Sequence, residues 1–132
     1  MRIHIIRHGD PDYDNDTLTD LGHQQARALS KALAGYPIRA IASSPMGRAR
    51  DTAAYTADAL SLPVEVLPWV REMDDVTVPS HLRDDLAVWH VPPRQSVSQI
   101  PAEDWMQASL FKGTALARRM RELSQGVAAL LS

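Results

Sequence analysis

Two groups of residues in the first half of the chain could bind an anion together. Arg7, His8 and Gly9 follow an isoleucine-rich run, and Arg48 ends the segment Ser43–Arg48, which contains Ser-Ser-Pro. If each group follows a parallel strand, both lie beyond the carboxyl ends of the strands, where α/β sheets bind ligands. A helix that begins within the second segment would add N–H groups and a partial positive charge. The two guanidinium groups could then hold phosphate oxygens through charge-assisted hydrogen bonds.

A geometric condition applies to Arg7 and His8. Adjacent residues on a regular strand point to opposite faces, so these two side chains cannot converge while both belong to the strand. The strand is therefore expected to end at about residue 7, and Gly9 is expected to let the backbone turn there.

Alternating aspartates follow this segment and raise the question of a metal ion: Asp10, Asp12, Asp14 and Asp16. A calcium loop of the EF-hand type needs glycine at its sixth position and a bidentate glutamate at its twelfth. Counted from the first aspartate, these positions hold Asn15 and Leu21; counted from the second, they hold Thr17 and His23. The pattern therefore favours a solvated acidic loop over a metal site, with carboxylates that point away from a bound phosphate or pair with arginines.

The composition is that of an ordinary globular protein. The chain has 132 residues, of which 45% are hydrophobic and 23% are charged, and this length predicts one domain. Its formal net charge of -2 predicts no general attraction to nucleic acid or to an anionic membrane. The absence of cysteine excludes disulfides, thiolate metal sites and a cysteine nucleophile. Because no run is long enough to span a bilayer and no signal-peptide pattern is present, we predict a cytoplasmic location.

Strands and helices are predicted to alternate in the first half of the chain. The predicted order is a strand over 2–7, a helix from Thr19 to about Gly35, a strand over 39–43, a helix from Ser44 to about Leu60 and a strand over 64–67. This alternation indicates a parallel sheet with helices packed on it.

Local signals predict how the two helices begin. Thr19 is expected to cap the first helix, and Ser44 is expected to cap the second, with Pro45 at its first helical position. The apolar stripe of the first helix is expected to consist of three leucines: Leu21, Leu29 and Leu33.

The second half of the chain has a weaker pattern. We predict a loosely ordered insertion at about 69–113 within a single domain over 1–132, with a short helix over 80–89. Thr114 is expected to cap a final helix, whose apolar face would be Leu116, Met120, Leu123, Val127 and Leu130. The solvated face of that helix is expected to carry three arginines: Arg118, Arg119 and Arg121.

Four segments, in order, resemble the successive signatures of the histidine phosphatase superfamily, the group related to phosphoglycerate mutase: IIRHGDPDY, LTDLGHQQA, SSPMGRARDTA and VLPWVREM. They extend from the first predicted strand to about Glu72, and the later segment EDWMQASLFKG is similar to an insertion of some bacterial members. The resemblance implies an α/β fold with a mainly parallel sheet and helices packed on both of its faces. This is the phosphoglycerate mutase-like three-layer sandwich, which we expect to be incomplete at the C-terminus of this chain.

The resemblance also implies roles for four residues. His8 would be the nucleophile that forms a phosphohistidine intermediate, and the neighbouring arginines favour the neutral imidazole that the attack requires. Arg7 and Arg48 would hold the phosphoryl group and stabilise its transition state by positioned positive charge. Glu72 would protonate the leaving oxygen and later activate water. The resemblance implies no metal ion and no other cofactor.

The family's second catalytic histidine has no counterpart in this sequence. In the family it lies in a Ser-His-Gly motif, on a strand after the helix that ends this chain. None of the other four histidines of this sequence lies in such a motif: His4, His23, His81 and His90. We therefore expect a truncated product of a longer protein rather than a natural short form. We also expect weak activity or none, because losing one transition-state donor commonly costs about a hundred- to a thousandfold in rate.

The loop after Gly9 also departs from the family pattern. It carries Pro11 and Asp14 where the mutases have hydroxyl and amide side chains, so Asn15 is the candidate for a substrate contact from this loop. A phosphatase is therefore favoured over a sugar-phosphate mutase.

These observations predict a metal-independent phosphatase that hydrolyses a phosphate monoester through phosphohistidine. The expected partners are a small phosphorylated substrate and inorganic phosphate or sulfate, with no nucleic acid and no membrane. Two alternatives stay open: a non-catalytic phospholigand-binding or scaffold protein that retains the cationic pocket, and a phosphotransferase of the phosphoglycerate mutase type. Calcium binding by the aspartate loop is a more distant alternative. The sequence indicates neither the substrate nor the oligomeric state.

Overall fold

A computed structural model describes residues 2–73, 76–78, 86–87, 104 and 114–132 of the chain. It divides the chain into two compact units, Met1–Arg71 and Glu72–Ser132. The elements of the first unit are β1 (Pro11–Asp12), β2 (Thr17–Leu18), α1 (Asp20–Leu33), β3 (Ile41–Ser43), α2 (Gly47–Leu60), β4 (Val64–Val66) and a 3-10 turn (Pro68–Val70). Those of the second unit are β5 (Thr77–Val78), β6 (Leu86–Ala87) and α3 (Leu116–Leu131).

A β-α-β unit forms the centre of the first half of the chain. β3 and β4 are parallel, with Ile41 opposite Val64 and Ser43 opposite Val66, and α2 connects them. The N–H of Leu67 donates to the carbonyl of Ser43 at 2.8 Å, which extends the pairing to the point where β3 ends. The α/β fold class predicted from the sequence is confirmed, and so are the predicted strands over 39–43 and 64–67, although both are shorter than predicted.

The predicted strand over 2–7 is wrong. Residues 2–8 carry no strand in the structure, and the side chains of Ile3 and Ile5 are 55% and 96% exposed. A preference for β structure expresses packing against neighbouring strands, and no described strand pairs with this segment. The first strands of the chain are instead β1 and β2, which form an antiparallel hairpin with Pro11 opposite Leu18.

Helices α1 and α2 pack against each other through small and polar residues. The residues that α1 buries are Gly22, Ala26, Ser30 and Leu33. Those that α2 buries are Arg48, Thr52, Thr56 and Ala57. The predicted leucine stripe of α1 is therefore wrong in part, because Leu21 is 53% exposed and only Leu33 is buried. Most of these buried positions are three or four residues apart, so they share a face on which side-chain size limits how closely two helices approach.

The sequence predicted the N-cap of α1 correctly but not that of α2. Thr19 caps α1 as predicted, since its hydroxyl accepts the N–H of Gly22 at 3.1 Å. The predicted Ser44-Pro45 start of α2 is wrong, because the helix begins at Gly47 and Met46 is its N-cap. The Ser44 hydroxyl accepts the N–H of Met46 at 3.3 Å, so it supports the turn that precedes the helix.

The second unit contains an antiparallel pair and a long helix. β5 and β6 pair with Thr77 opposite Ala87. The predicted helix over 80–89 is wrong at 86–87, which form β6, and its other residues lie outside the described residues. Most of the predicted insertion at 69–113 also lies outside them, and the single domain over 1–132 stays a prediction.

Helix α3 differs from its prediction in the distribution of its charged and apolar side chains. Thr114 precedes it as predicted, and its hydroxyl accepts the N–H of Leu116 at 3.3 Å, although Ala115 is the N-cap. Arg119 is buried rather than solvated, and Glu122 accepts a hydrogen bond from its guanidinium at 2.9 Å. Val127 and Leu130, which were predicted to be part of the apolar face, are 40% and 48% exposed. None of the helices in the described ranges is long and apolar enough to cross a bilayer.

Candidate active site

The hairpin loop between β1 and β2 is built by hydrogen bonds to Asp12. Its carboxylate accepts the N–H groups of Asp14 and Asn15 at 3.1 and 3.2 Å. It also accepts the side-chain amide of Asn15 at 2.8 Å. These bonds, led by the one from the Asn15 side chain, lower the pKa of Asp12. The amide of Asn15 is therefore engaged within the loop, and a substrate contact by Asn15 would require this bond to be exchanged.

The last aspartate of the loop joins it to the start of α2. The Asp16 carboxylate accepts the N–H of Gly47 at 2.7 Å with one oxygen and the Nη1 of Arg48 at 2.8 Å with the other. Both bonds favour the ionised form, the Gly47 N–H most strongly, so the pKa of Asp16 is lowered. The aspartate pattern therefore includes the pairing with arginine that the sequence predicted, and the partner is one of the two predicted phosphate-binding arginines.

Tyr13 lies beside both His8 and Arg48. The Cζ atom of Arg48 is 5.3 Å from the centre of the Tyr13 ring, a cation–π distance. The ring of His8 meets the same tyrosine edge-on, with 6.4 Å between the ring centres. The side chain of Arg48 is 7% exposed, whereas Tyr13 is 63% exposed. One exposed aromatic ring thus connects the predicted nucleophile with a buried guanidinium.

A chain of hydrogen bonds ties the backbone after His8 to the first turns of α2. The N–H of Gly9 donates to the Thr52 hydroxyl at 3.1 Å, and that hydroxyl donates to the carbonyl of Arg48 at 2.8 Å. The first and third resemblance segments, 43 residues apart at this contact, therefore meet in the folded chain. The Thr52 hydroxyl thus joins the backbone that follows His8 to the backbone of Arg48.

One ring nitrogen of His8 is already engaged. Its Nδ1 lies 2.7 Å from the carbonyl oxygen of Gly9. A carbonyl oxygen can only accept, so Nδ1 carries the hydrogen in this bond. In the neutral imidazole the other nitrogen, Nε2, then bears the lone pair. The structure thus directs any nucleophilic attack by His8 to Nε2.

Gly9 and Gly22 bring this segment against the start of α1. A Cβ atom on Gly9 would lie 2.7 Å from the carbonyl oxygen of Gly22, and one on Gly22 would overlap the carbonyl oxygen of Asp10. The backbone bends at Gly9, as the sequence predicted, although its φ angle lies outside the left-handed region. Glycine is needed here because two backbones are in direct contact.

Gly22→Ala is expected to destabilise the first unit, although alanine is normally the better helix residue by up to about 1 kcal/mol. The new Cβ would overlap the Asp10 carbonyl and lie 3.0 Å from the Leu18 Cβ, so the loop after His8 must move. We expect a loss of about 1–3 kcal/mol in the free energy of unfolding, measured by urea titration.

The matched control for this change is Gly35→Ala, because a Cβ on Gly35 meets nothing within 4 Å. Its free energy of unfolding should stay within about 0.5 kcal/mol of that of the unchanged chain. Equal stability of the two variants would show that the contact between Gly22 and the loop relaxes without cost.

The other two predicted site residues are Arg7 and Glu72. Arg7 is exposed, and within the described part of the chain it makes no hydrogen bond or ion pair. Glu72 is exposed and is the first residue of the second unit. Their catalytic roles stay predictions. Tyr13 and Asp16 were not predicted as site residues. The sequence did contain a signal for Asp16, because the carboxylates of the acidic loop were expected to pair with arginines.

The two hydrogen bonds that the Asp16 carboxylate accepts should make the stability of the protein depend on pH. A carboxyl whose pKa is lowered by folding stabilises the protein above its ordinary pKa, and this contribution is lost as the pH falls through the lowered pKa. For Asp16 the ordinary value is 3.8, so the contribution should be complete near neutrality and lost below about pH 4.

Asp16→Asn is therefore expected to show a smaller fall in melting temperature than the unchanged chain between about pH 6 and about pH 3. Asp14→Asn removes an exposed carboxylate from the same loop and should retain the steeper dependence. Identical pH profiles for the unchanged chain and Asp16→Asn would contradict the assignment.

An arginine at the start of a helix, a histidine with one nitrogen anchored and an α/β unit together define a candidate phosphoryl-binding site. The sequence model of the histidine phosphatase superfamily (branch 1) matches residues 3–129, and the chain belongs to this superfamily.

The proteins to which the chain is similar include a probable mutase and a phosphatase. "Probable phosphoglycerate mutase GpmB" of Enterobacter sp. (strain 638) is 29% identical over 83 residues, which cover 56% of this chain and 39% of that protein. A mycobacterial glucosyl-3-phosphoglycerate phosphatase, solved in complex with inorganic phosphate, is 26% identical, with a TM-score of 0.53 over 92% of this chain and 60% of that one.

The structure described as "Mycobacterial hydrolase 2" shares the fold, with a TM-score of 0.59 and 23% identity over 93% of this chain. This chain covers 55% of that structure's length. The chain thus spans 39% to 60% of the length of these three relatives.

Proposed function

We propose that this chain carries the nucleophile and part of the phosphate-binding site of a metal-independent phosphatase, which hydrolyses a phosphate monoester through phosphohistidine. The observation that carries the proposal is the 2.7 Å contact from the His8 Nδ1 to the Gly9 carbonyl. It leaves Nε2 with the lone pair that an in-line attack on phosphorus requires. The proposal includes the cytoplasmic location predicted from the sequence.

In the first step, the His8 Nε2 forms a bond to phosphorus and the bond from phosphorus to the ester oxygen breaks. The electron pair of that bond stays with the leaving oxygen, which takes a proton from Glu72. Arg7 and Arg48 stabilise the charge on the transferring phosphoryl group. In the second step, the Glu72 carboxylate takes a proton from water, the water oxygen attacks phosphorus and the phosphorus–nitrogen bond breaks. Phosphate leaves, and His8 returns to its neutral form.

The known relatives support a phosphate-class ligand. A phosphatase that is 26% identical to this chain was solved with inorganic phosphate. We infer from it that inorganic phosphate, or sulfate of the same shape and charge, binds between Arg48 and His8. The second candidate function is a phosphotransferase of the mutase type, which the GpmB relative favours because it shares 29% identity over 83 residues.

A third candidate is a phospholigand-binding protein without turnover. Such a protein would retain anion binding and release no product.

Trapping of the covalent intermediate tests the proposed reaction. The chain would be mixed with a radiolabelled aryl phosphate in the presence of a chelator and quenched in alkali, because a phosphorus–nitrogen bond is labile in acid. The expected result is label on the peptide that contains His8, together with chelator-resistant release of the aryl alcohol. No label and no product, combined with thermal stabilisation by phosphate or vanadate, would overturn hydrolysis in favour of the binding protein.

A further inference from the structure

The Asp16 carboxylate is shared between the start of a helix and a buried guanidinium. One oxygen accepts the N–H of Gly47 at 2.7 Å, and the other accepts the Nη1 of Arg48 at 2.8 Å. Gly47 and Arg48 are the first two residues of α2. The carboxylate therefore fixes the direction in which the Arg48 side chain leaves the helix.

Asp16 is itself held in place from both sides. Before it, the turn organised by Asp12 ends at Asn15; after it, the Thr17 hydroxyl donates to the Asp51 carboxylate of α2 at 2.5 Å. Its φ angle of 49° lies in the left-handed region, which aspartate adopts more readily than most residues in turns.

Gly47 allows the loop to approach α2 this closely. A Cβ atom on Gly47 would overlap the Asp16 carbonyl oxygen. A larger residue at this position would move the loop away from the helix and break the carboxylate bridge. The contact therefore depends on backbone packing and not only on attraction between two side chains.

Burial makes this contact important for Arg48. Its side chain is 7% exposed, whereas that of Asp16 is 43% exposed. Moving a guanidinium out of water is costly unless its charge is paired and its N–H groups are hydrogen-bonded. A guanidinium is also planar, so the bond at Nη1, with the Tyr13 ring 5.3 Å from Cζ, restricts rotation of the whole group.

We propose that Asp16 is the positioning residue of the site: it sets the guanidinium plane of Arg48 and so determines how tightly a phosphate-class anion is held there. This inference rests on the proposed function only in taking Arg48 as a phosphate ligand. A carboxylate that competes with phosphate would be expected on a side chain that can swing away. Asp16 is instead bonded to a backbone N–H, and its neighbours Asn15 and Thr17 are held by hydrogen bonds of their own.

The test compares Asp16→Asn with Asp14→Asn, which makes the same change of charge two residues away on an exposed side chain. The first readout is the NMR signals of the Arg48 guanidinium, assigned by their loss in Arg48→Lys. In the unchanged chain and in Asp14→Asn we expect separate Nη signals from slow rotation. In Asp16→Asn we expect them to merge while the backbone spectrum shows a folded chain.

The second readout is binding of inorganic phosphate by calorimetry, with turnover of an aryl phosphate measured in parallel. Asp16→Asn is expected to weaken phosphate binding at least about tenfold and to lower kcat by up to about a hundredfold, as misplacement of a catalytic group commonly does. KM should change less than kcat, because the guanidinium acts most strongly on the transition state. Asp14→Asn should stay within about twofold of the unchanged chain.

Unchanged guanidinium signals and unchanged phosphate affinity in Asp16→Asn would overturn the proposal. Tighter phosphate binding by Asp16→Asn would also overturn it, since the carboxylate would then be a competitor. If the unchanged chain binds phosphate without turnover, hydrolysis fails and the phosphate titration alone decides the role of Asp16. If it binds no phosphate, both proposals fail.

Discussion

His8→Ala is expected to lower the hydrolysis of an aryl phosphate by on the order of a thousandfold or more. The Nδ1 of His8 lies 2.7 Å from the Gly9 carbonyl oxygen, so the proposed nucleophile is the other ring nitrogen, Nε2. Alanine removes that nitrogen, and the two-step route through a covalent intermediate is lost with it. The measurement is steady-state release of the aryl alcohol with chelator present, together with the yield of alkali-stable label.

His4→Ala is the matched control for this prediction. His4 lies four residues earlier on the same exposed segment, and its ring contacts Tyr36 with 5.2 Å between the ring centres. Its removal should leave turnover and labelling unchanged. Turnover by His8→Ala that equals that of the control would exclude a nucleophilic role for His8.

Arg48→Lys is expected to lower kcat/KM by about a hundred- to a thousandfold, although it keeps the positive charge. Arg48 pairs with Asp16 through Nη1 while it is 7% exposed. An ammonium on a flexible stem cannot reproduce a planar group with several fixed N–H donors. A lysine could keep the bond to Asp16 or contact a phosphoryl oxygen, but it cannot hold both in a fixed orientation.

Arg50→Lys makes the same chemical change on an exposed residue of the same helix and should leave kcat/KM within about twofold. The melting temperatures of both variants show whether each chain is folded at the assay temperature. A drop of similar size in both variants would mean that the loss reflects α2 as a whole. A fully active Arg48→Lys would remove Arg48 from the phosphate site.

Local chemistry explains the parts of the fold that the sequence predicted well. The hydroxyl of Thr19 caps α1, and α2 ends at Leu60, with Ser61 in the left-handed conformation and Pro63 shortly after. These features depend on residues within a few positions of each other. The two parallel strands were also predicted, because each is a short run between prolines, which limits how far it can extend.

Contacts between distant residues explain the failures. The isoleucines of 2–7 predicted a strand, yet a strand exists only where a partner supplies hydrogen bonds, and this segment has none among the described strands. Arg119 was expected in solvent because arginine usually is, but an ion pair with Glu122 accompanies its burial.

The sequence by itself determined the superfamily and the candidate site residues, because the order of the motifs and the residue types can be identified without coordinates. The tertiary structure decided which of these groups meet. It placed Tyr13 against both His8 and Arg48, and it assigned the Asp16 carboxylate to Arg48 at 2.8 Å. Such pairings depend on backbone approaches of a few ångströms, as between Gly47 and Asp16, which no local pattern specifies.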